Sequence, residues 1–324
     1  MTTFGVSSAG VQTLGAQFQL DVARWGEELG YSSHWIAEAN ATEGFAVLGA
    51  TALAAPTLGL GTGVLALQLR TPTLAAMAAA TLQSLAPDRD IFLGIGISSP
   101  VVVGQWHGAE YGDRPIARVR EYVALVRECL RGEPVTFEGD FWSVKKFRLG
   151  VRLGERRPKI VVGALNPQML RTAGEIADGV LLNYLPASHV GWSVEQVRQG
   201  GDATIYAYVH TAATDRERWA DAARKDLFAY AIVPAYGDNF ARAGFADDIA
   251  AMRAAHAARD REGTLAAISD DFVDAIQIVG SAEHVARGVQ AYADNGVDVP
   301  IVFPCPWGED RRSTVRATLE AARP

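Results

Sequence analysis

Two side chains of this 324-residue chain, a carboxylate and a histidine, are candidates for acid–base chemistry or ligand binding. Glu38 comes directly after the run 33–37, where a carboxylate can hydrogen-bond a cofactor or relay a proton. It could equally cap the helix that begins nearby, and the sequence leaves both roles open. His107 follows Trp106 and is a candidate acid or substrate anchor, with a purely structural role as the alternative.

Gly163 and Ala164 precede the pair Asn166-Pro167, a combination that predicts an anion site. Glycine lets a ligand approach the backbone, and the free N–H groups and dipole at a helix N-terminus favour a phosphate. The alternative interpretation of the same residues is a tight turn that binds no ligand.

Gly94 and Gly96 lie inside an apolar run and not in a strand-to-helix turn. They therefore lack the context of a dinucleotide-binding fingerprint and predict either close packing or a floor for a flat ring. The six histidines show no paired spacing, so no metal site is predicted. A P-loop and a nucleophile elbow are also absent from the sequence.

The elements that must position these residues follow from alternation of short apolar runs with longer segments of helical period. Eight strands are predicted, at 4–6, 33–37, 58–67, 91–96, 159–163, 179–183, 204–211 and 299–303. Helical segments are predicted at 13–30, 44–55, 71–85, 114–131, 215–230 and 281–295, with a start at 166 and further helices up to 271. This order predicts one (β/α)8 TIM-barrel domain over residues 1–324, with inserted loops and helices.

Composition narrows the function classes. The net charge of −7 gives no electrostatic case for binding nucleic acid or an anionic membrane. No apolar run is long enough to span a bilayer, and the N-terminus lacks the features of a secretory signal. Two cysteines far apart indicate no disulfide framework. We therefore expect a cytoplasmic protein that acts on a small molecule.

Several segments, taken together and in chain order, resemble one family. They are 27–31, 35–38, 60–64, 70–72, 79–82, 92–96, 106–108, 118–122, 131–135 and 173–180. The chain resembles the luciferase-like monooxygenase superfamily and, within it, the coenzyme F420-dependent oxidoreductase branch. The resemblance implies a barrel of the bacterial-luciferase type, a flavin-type ring at the carboxyl ends of the strands, and a homodimer.

The resemblance also implies roles for individual residues. A non-prolyl cis peptide behind the ring maps to Gly63-Val64. The implied contacts with the cofactor are Glu38 and Asn40 at the ring edge, Gly63 and Val64 behind it, and Ile97, Ser98, Ser99, Gly163 and Ala164 around the phosphate-bearing tail. Asn183 and His107 are expected at the boundary between cofactor and substrate.

The predicted function is hydride transfer between deazaflavin F420 and a small organic substrate with a C=C, C=N or C=O bond or an alcohol. Ala39 stands where many F420-dependent relatives carry a histidine, which leaves the source of the proton open. One alternative is an FMN-dependent two-component monooxygenase of the same superfamily. Another is a non-catalytic barrel that binds a flavin.

Overall fold

A computed structural model describes residues 3–324, and parallel strands form its centre. The strands are β1 (Gly5–Ser7), β2 (Ser33–Ile36), β3 (Gly59–Thr62), β4 (Leu65–Ala66), β5 (Ile91–Gly96), β6 (Val135–Glu138), β7 (Ser143–Phe147), β8 (Lys159–Gly163), β9 (Gly179–Leu182), β10 (Thr204–Ala213), β11 (Gln277–Gly280) and β12 (Val299–Pro304).

Helices connect the strands and surround them. They are α1 (Ala16–Glu28), α2 (Gly44–Ala54), α3 (Pro72–Leu85), α4 (Pro115–Leu130), α5 (Pro167–Ile176), α6 (Ala187–Arg198), α7 (Arg216–Ala231), α8 (Pro234–Phe240), α9 (Ala246–Ala257), α10 (Arg261–Ala266), α11 (Asp270–Ile276), α12 (Ala282–Asp294) and α13 (Arg311–Ala321). Short 3₁₀ helices occupy Ala9–Leu14 and Leu67–Leu69, and π-helical turns occupy Val101–Trp106 and Ala241–Phe245.

Eight of the strands close into a parallel barrel, which confirms the predicted (β/α)8 fold. The order around the barrel is β1, β2, β3, β5, β8, β9, β10 and β12. Closure comes from β12, which pairs with β1 on one side and with β10 on the other. Each crossover runs through at least one helix, as parallel pairing requires. The antiparallel hairpin of β6 and β7 lies outside the barrel.

The observed elements differ from the predicted ones in several places. The predicted third strand, 58–67, is interrupted between β3 and β4. The helix predicted from residue 13 begins at Ala16, because Gly15 adopts a φ of 91° that breaks the helical run. The segment 186–201, for which the sequence predicted no helix, contains α6. Strand β11, which the sequence did not predict, pairs in parallel with the carboxyl-terminal part of β10.

Large side chains fill the barrel interior near the amino ends of the strands. Trp35 stacks on Phe92 at 4.8 Å between ring centroids, and Tyr206 packs against both. Gly61 is needed on β3 because a Cβ there would lie 2.6 Å from the Trp35 ring. The lower barrel is therefore a packed core, and a ligand has to bind at the opposite end.

The helices between β10 and β11 form a separate apolar cluster above the barrel. Leu227, Phe240, Met252 and Phe272 are fully buried in it, and Tyr184 at the end of β9 joins them. This arrangement confirms the predicted helical insertion and places it over the carboxyl ends of β9 and β10. No helix within residues 3–324 is long and apolar enough to cross a membrane.

Candidate active site at the carboxyl ends of the strands

The interruption of the third strand presents a valine at the barrel mouth. The peptide bond Gly63-Val64 is cis, as the resemblance implies. Glycines on the two neighbouring strands make room for Val64: a Cβ on Gly96 would lie 2.7 Å from its side chain, and one on Gly163 would lie 3.2 Å away. The Gly94–Gly96 pair thus serves close packing, and the partly exposed Val64 provides the apolar face.

Glu38 lies beside this face and makes the helix contact that the sequence left open. Its Oε1 accepts a hydrogen bond from the Gly44 amide at 2.7 Å and one from Arg70 at 3.2 Å. Arg70 also pairs with Glu43, the N-cap of α2. Burial raises the pKa of Glu38, while the Gly44 amide and the Arg70 guanidinium oppose the rise. The carboxylate is therefore both a helix contact and a polar group at the mouth.

Two buried polar atoms in the segment that follows β4 have no hydrogen-bond partner among residues 3–324. They are Nε of Arg70 and Oε1 of Gln68. The amide nitrogen of Gln68 is satisfied, because it donates to the carbonyls of Ile97 at 2.9 Å and Tyr111 at 3.3 Å. Since buried polar atoms in native proteins are nearly always paired, a free donor and a free acceptor at the mouth suit a ligand.

The loop after β5 carries the predicted tail contacts. Ser98 is exposed and adopts a φ of 60°, which is uncommon for a residue other than glycine. The Ser99 hydroxyl accepts a hydrogen bond from the Val102 amide at 3.2 Å and so begins the π-helical turn. Ser98 is consequently freer than Ser99 to contact a ligand.

His107 bridges two loops of the mouth. Its Nε2 lies 2.6 Å from the carbonyl oxygen of Ala39, next to the exposed Asn40. A carbonyl can only accept, so Nε2 carries the hydrogen and donates it. The predicted residues Glu38, Asn40 and His107 are thus brought to the same side of the mouth, with His107 exposed.

The predicted anion site is only partly available. The Ala164 amide donates to the Leu181 carbonyl at 3.2 Å and is not free for an anion. Helix α5 begins just beyond it, at Pro167, and no side chain caps its first turn. The uncapped turn retains the free N–H groups and the positive end of the dipole that a phosphate prefers.

Asn183 follows β9 and holds a pair of side chains that the sequence did not identify. Its Oδ1 accepts from Nε2 of His210 at 2.9 Å, and its Nδ2 donates to the Tyr236 hydroxyl at 3.3 Å. His210 is 2% exposed, and burial lowers its pKa to about 3, so the imidazole is neutral at pH 7. Nδ1 of His210 has no partner within residues 3–324.

A buried aromatic layer supports Asn183 and His210 from the insertion side. Tyr184 stacks on His210 and on Tyr230, each at 3.9 Å between ring centroids. Its hydroxyl donates to Asp226 at 2.8 Å, and Gln277 donates to the same carboxylate oxygen at 2.7 Å. Burial raises the pKa of Asp226, and these two hydrogen bonds oppose the rise.

One sequence signal could have identified His210. Alternate residues of β10 face one side, so His210 shares the lumen with Tyr206 and Tyr208. Tyr208 packs among the lumen side chains, and its hydroxyl lies 2.2 Å from where a Cβ of Gly63 would be. Tyr236 gave no such signal, because it comes from the insertion. No group of three or more potential metal-ligating side chains occurs within residues 3–324.

The residues present fit a flavin-type ring. Val64 offers an apolar face, and Glu38, Arg70 and Gln68 offer polar atoms at its edge, two of them unpartnered. The uncapped start of α5 offers a place for a phosphate. A flat, largely apolar group with polar edges and an anionic tail matches this donor set.

Comparison with known proteins agrees with this geometry. The chain is 26% identical over 306 residues to a 5,10-methylenetetrahydromethanopterin reductase of Archaeoglobus fulgidus, covering 90% of each chain. Its fold is similar to that of the coenzyme F420-dependent tetrahydromethanopterin reductase of Methanopyrus kandleri, with a TM-score of 0.82, 21% identity and coverage of 98% and 97%. It is also similar to the oxygenating constituent of 3,6-diketocamphane monooxygenase of Pseudomonas putida in complex with FMN, with a TM-score of 0.68, 18% identity and coverage of 100% and 98%.

The family assignment rests on nearly the whole length of the chain. The profile of the family described as luciferase-like monooxygenase matches residues 1–299. The closed barrel and the cis peptide at the strand interruption are the features that the resemblance implied. The chain belongs to the luciferase-like monooxygenase family.

Proposed function

We propose that the protein is a coenzyme F420-dependent oxidoreductase that transfers a hydride between the deazaflavin and a small organic substrate. The observation that carries the proposal is the partly exposed Val64, presented at the mouth with Glu38 and Arg70 beside it. The names of similar proteins, which include an F420-dependent reductase of nearly the same fold, favour F420 as the cofactor.

The roles of individual residues follow from their positions. Val64 and Gly63 would lie behind the ring, with Glu38 and Asn40 at its edge. Ile97, Ser98, Ser99, Gly163 and Ala164 would surround the tail, whose phosphate would meet the uncapped turn of α5. The bound cofactor would supply the hydride, while the protein positions it and excludes water. His107 and Asn183 would face the substrate.

An FMN-dependent monooxygenase is the second candidate, because the solved structure of a similar fold carries FMN. A non-catalytic flavin-binding barrel is the third. A side-by-side fluorescence titration of the purified protein with F420 and with FMN separates these candidates. Saturable micromolar binding of F420 with weaker FMN binding is expected. Preference for FMN would replace the proposal with an oxygen-using monooxygenase, and binding of neither would refute all three.

We further propose a cytoplasmic homodimer formed through α2 and α3. Neither helix contains a charged residue, although 21% of the chain is charged. Four large apolar side chains of these two helices are exposed: Leu53 (78%), Leu74 (45%), Met77 (46%) and Leu85 (49%). Exposed apolar side chains on two neighbouring helices without charged residues are typical of an interface, and a two-fold axis would pair these helices with the same helices of a second copy.

Sedimentation equilibrium tests the dimer. The wild type should have twice the mass of the chain, and Met77→Glu should shift it toward the monomer, because burying a carboxylate at the interface is costly. A monomeric wild type would refute the proposal.

A further inference from the structure

We infer that Tyr236 is the proton donor of the reaction and that the substrate is a carbonyl compound. The inference rests on the proposed F420-dependent function and deepens it. The insertion brings Tyr236, which lies on α8, to Asn183 at the carboxyl end of β9. The hydroxyl is thereby held at the barrel mouth, although it lies 53 residues from Asn183 in sequence.

The hydrogen bonds around Tyr236 run in one direction. His210 donates from Nε2 to Asn183 Oδ1, and Asn183 donates from Nδ2 to the Tyr236 oxygen. Since the hydroxyl oxygen accepts from Asn183, its own hydrogen is not used in this chain and can be donated to a ligand. Each bond of such a chain polarises the next, which strengthens the terminal O–H as a donor.

The protonation states agree with this direction. Burial lowers the pKa of His210 to about 3, so its neutral ring has one N–H, and that N–H faces Asn183. Burial raises the pKa of Tyr236, opposed by the bond from Asn183, so the phenol keeps its proton at neutral pH. The donor chain therefore carries no charge from His210 to its end.

The other candidates for this task are already engaged. Burial raises the pKa of Glu38, but the same carboxylate oxygen already accepts hydrogen bonds from the Gly44 amide and from Arg70, so this oxygen is engaged by two protein donors. His107 donates its Nε2 hydrogen to the Ala39 carbonyl. The sequence lacks a histidine at position 39, and Tyr236 supplies a proton from the opposite side of the mouth.

The reaction that this geometry serves is reduction of a C=O bond. The carbonyl carbon gains a hydride from the reduced deazaflavin, and the carbonyl oxygen gains the proton of the Tyr236 hydroxyl. The products are the alcohol and the oxidised deazaflavin. Oxidation of the reduced deazaflavin to its neutral form would also release a proton, and this proton would restore the phenol of Tyr236, so the overall reaction balances. A cationic C=N⁺ bond, in contrast, accepts a hydride without needing a proton.

The test compares Tyr236→Phe with Tyr230→Phe, which removes a hydroxyl from the same aromatic cluster but not from Asn183. Single-turnover oxidation of bound reduced F420 is followed with cyclohexanone and with the iminium salt N-methyldihydroisoquinolinium. In Tyr236→Phe the single-turnover rate constant should fall about 100-fold with cyclohexanone but change less than about threefold with the iminium, as expected for loss of a general acid. Tyr230→Phe should keep the wild-type ratio.

A second readout does not depend on turnover. The infrared C=O stretch of cyclohexanone bound to the protein with oxidised F420 should move to lower frequency in the wild type and in Tyr230→Phe. In Tyr236→Phe that shift should disappear. If Tyr236→Phe fails to fold, Asn183→Leu replaces it. Its single-turnover rate constant with cyclohexanone should fall about tenfold, because the hydrogen bond that Asn183 donates to Tyr236 is lost.

Three outcomes would overturn the inference. Equal losses with both substrates would make Tyr236 a structural residue, and an unshifted C=O stretch in the wild type would show that no donor reaches the carbonyl. A wild type that reduces the iminium but not cyclohexanone would refute the carbonyl class while the F420-dependent function stands. Failure to bind F420 in the fluorescence titration would instead refute the proposed function itself.

Discussion

The two sides of the barrel mouth are built on different physical principles. The open side comprises Glu38, Val64, Arg70, Ser98 and His107, which are partly or fully exposed, and two of these side chains are charged and paired. The side that we call buried is centred on Tyr184 and His210, which are each 2% exposed, and it includes the partly exposed Asn183, Asp226 and Tyr236, joined to them by packed rings and hydrogen bonds. The open side leaves donors and acceptors for a cofactor, whereas the buried side fixes a few groups in one arrangement.

The difference predicts where substitutions cost stability and where they cost binding. Removing a buried ring leaves a cavity and breaks several contacts at once. Removing an exposed member of an ion pair costs little stability, because water replaces much of the interaction. We therefore expect large effects on unfolding from the buried side and mainly effects on affinity from the open side.

The largest expected effect comes from Tyr184→Ala. The ring is 2% exposed and stacks on both His210 and Tyr230, so its loss should lower the free energy of unfolding by about 3–5 kcal/mol. Urea denaturation measures the change. Tyr184→Phe is the matched control and should cost about 1 kcal/mol, because Asp226 retains its bond from Gln277. Equal costs for the two variants would contradict the stacking argument.

Gly63→Ala tests how tightly the interrupted strand packs against the lumen side chains. The added Cβ would lie 2.2 Å from the Tyr208 hydroxyl oxygen and 3.1 Å from a methyl group of Leu181. Overpacking of this kind should cost about 1–3 kcal/mol in the free energy of unfolding. Combining it with Tyr208→Phe should restore a large part of the loss, since the closest atom is removed. Additive costs in this double-mutant cycle would show that Tyr208 is not the obstacle.

Acid sensitivity should also follow from burial. Burial lowers the pKa of both His34 and His210 to about 3, below the ordinary value of 6.5. Each stays neutral when folded but gains a proton when unfolded, so its stabilising contribution is complete above 6.5 and is lost as the pH falls toward 3. As the pH falls from 7 to 5, each of these two histidines should lower the free energy of unfolding by about 2 kcal/mol.

His210→Asn checks this sign and magnitude. The variant should lose about half of the pH dependence that the two histidines give to the free energy of unfolding, and His34→Asn should remove the other half. Urea denaturation at several pH values provides the slopes. An unchanged slope in His210→Asn would mean that the imidazole is already accessible to protons in the folded protein.

The same contrast explains what the sequence could predict. The eight barrel strands were predicted because each is a local apolar run between turn signals. Glu38 and Asn183 were identified because a residue that directly follows a parallel strand must lie at the mouth. The interruption at Gly63-Val64 was expected only through the family resemblance, since the run 58–67 alone predicts one continuous strand.

Most contacts of the buried side could not be predicted from local sequence patterns. The sequence gives no reason to pair Asn183 with Tyr236, because their contact exists only after the insertion packs on β9 and β10. His210 carries a weak signal in the alternation of β10, but nothing local names its hydrogen-bond partner. Long-range contacts of this kind depend on tertiary packing, which a reading of spacing along one chain does not contain.

The smallest expected change in stability comes from Arg70, and it separates the two sides most clearly. Arg70→Ala removes the partner of Glu38 and Glu43, and because the side chains of Arg70 and Glu38 are largely buried while Glu43 is exposed, it should cost about 1–2 kcal/mol in the free energy of unfolding. The affinity of the Arg70→Ala variant for F420 should nevertheless fall about tenfold, because the unpartnered Nε and the planar guanidinium group are lost. Arg70→Lys should keep the charge but recover little of the affinity. If fluorescence titration shows full recovery with lysine, charge alone acts at this position, and the open side lacks the geometric specificity proposed for it.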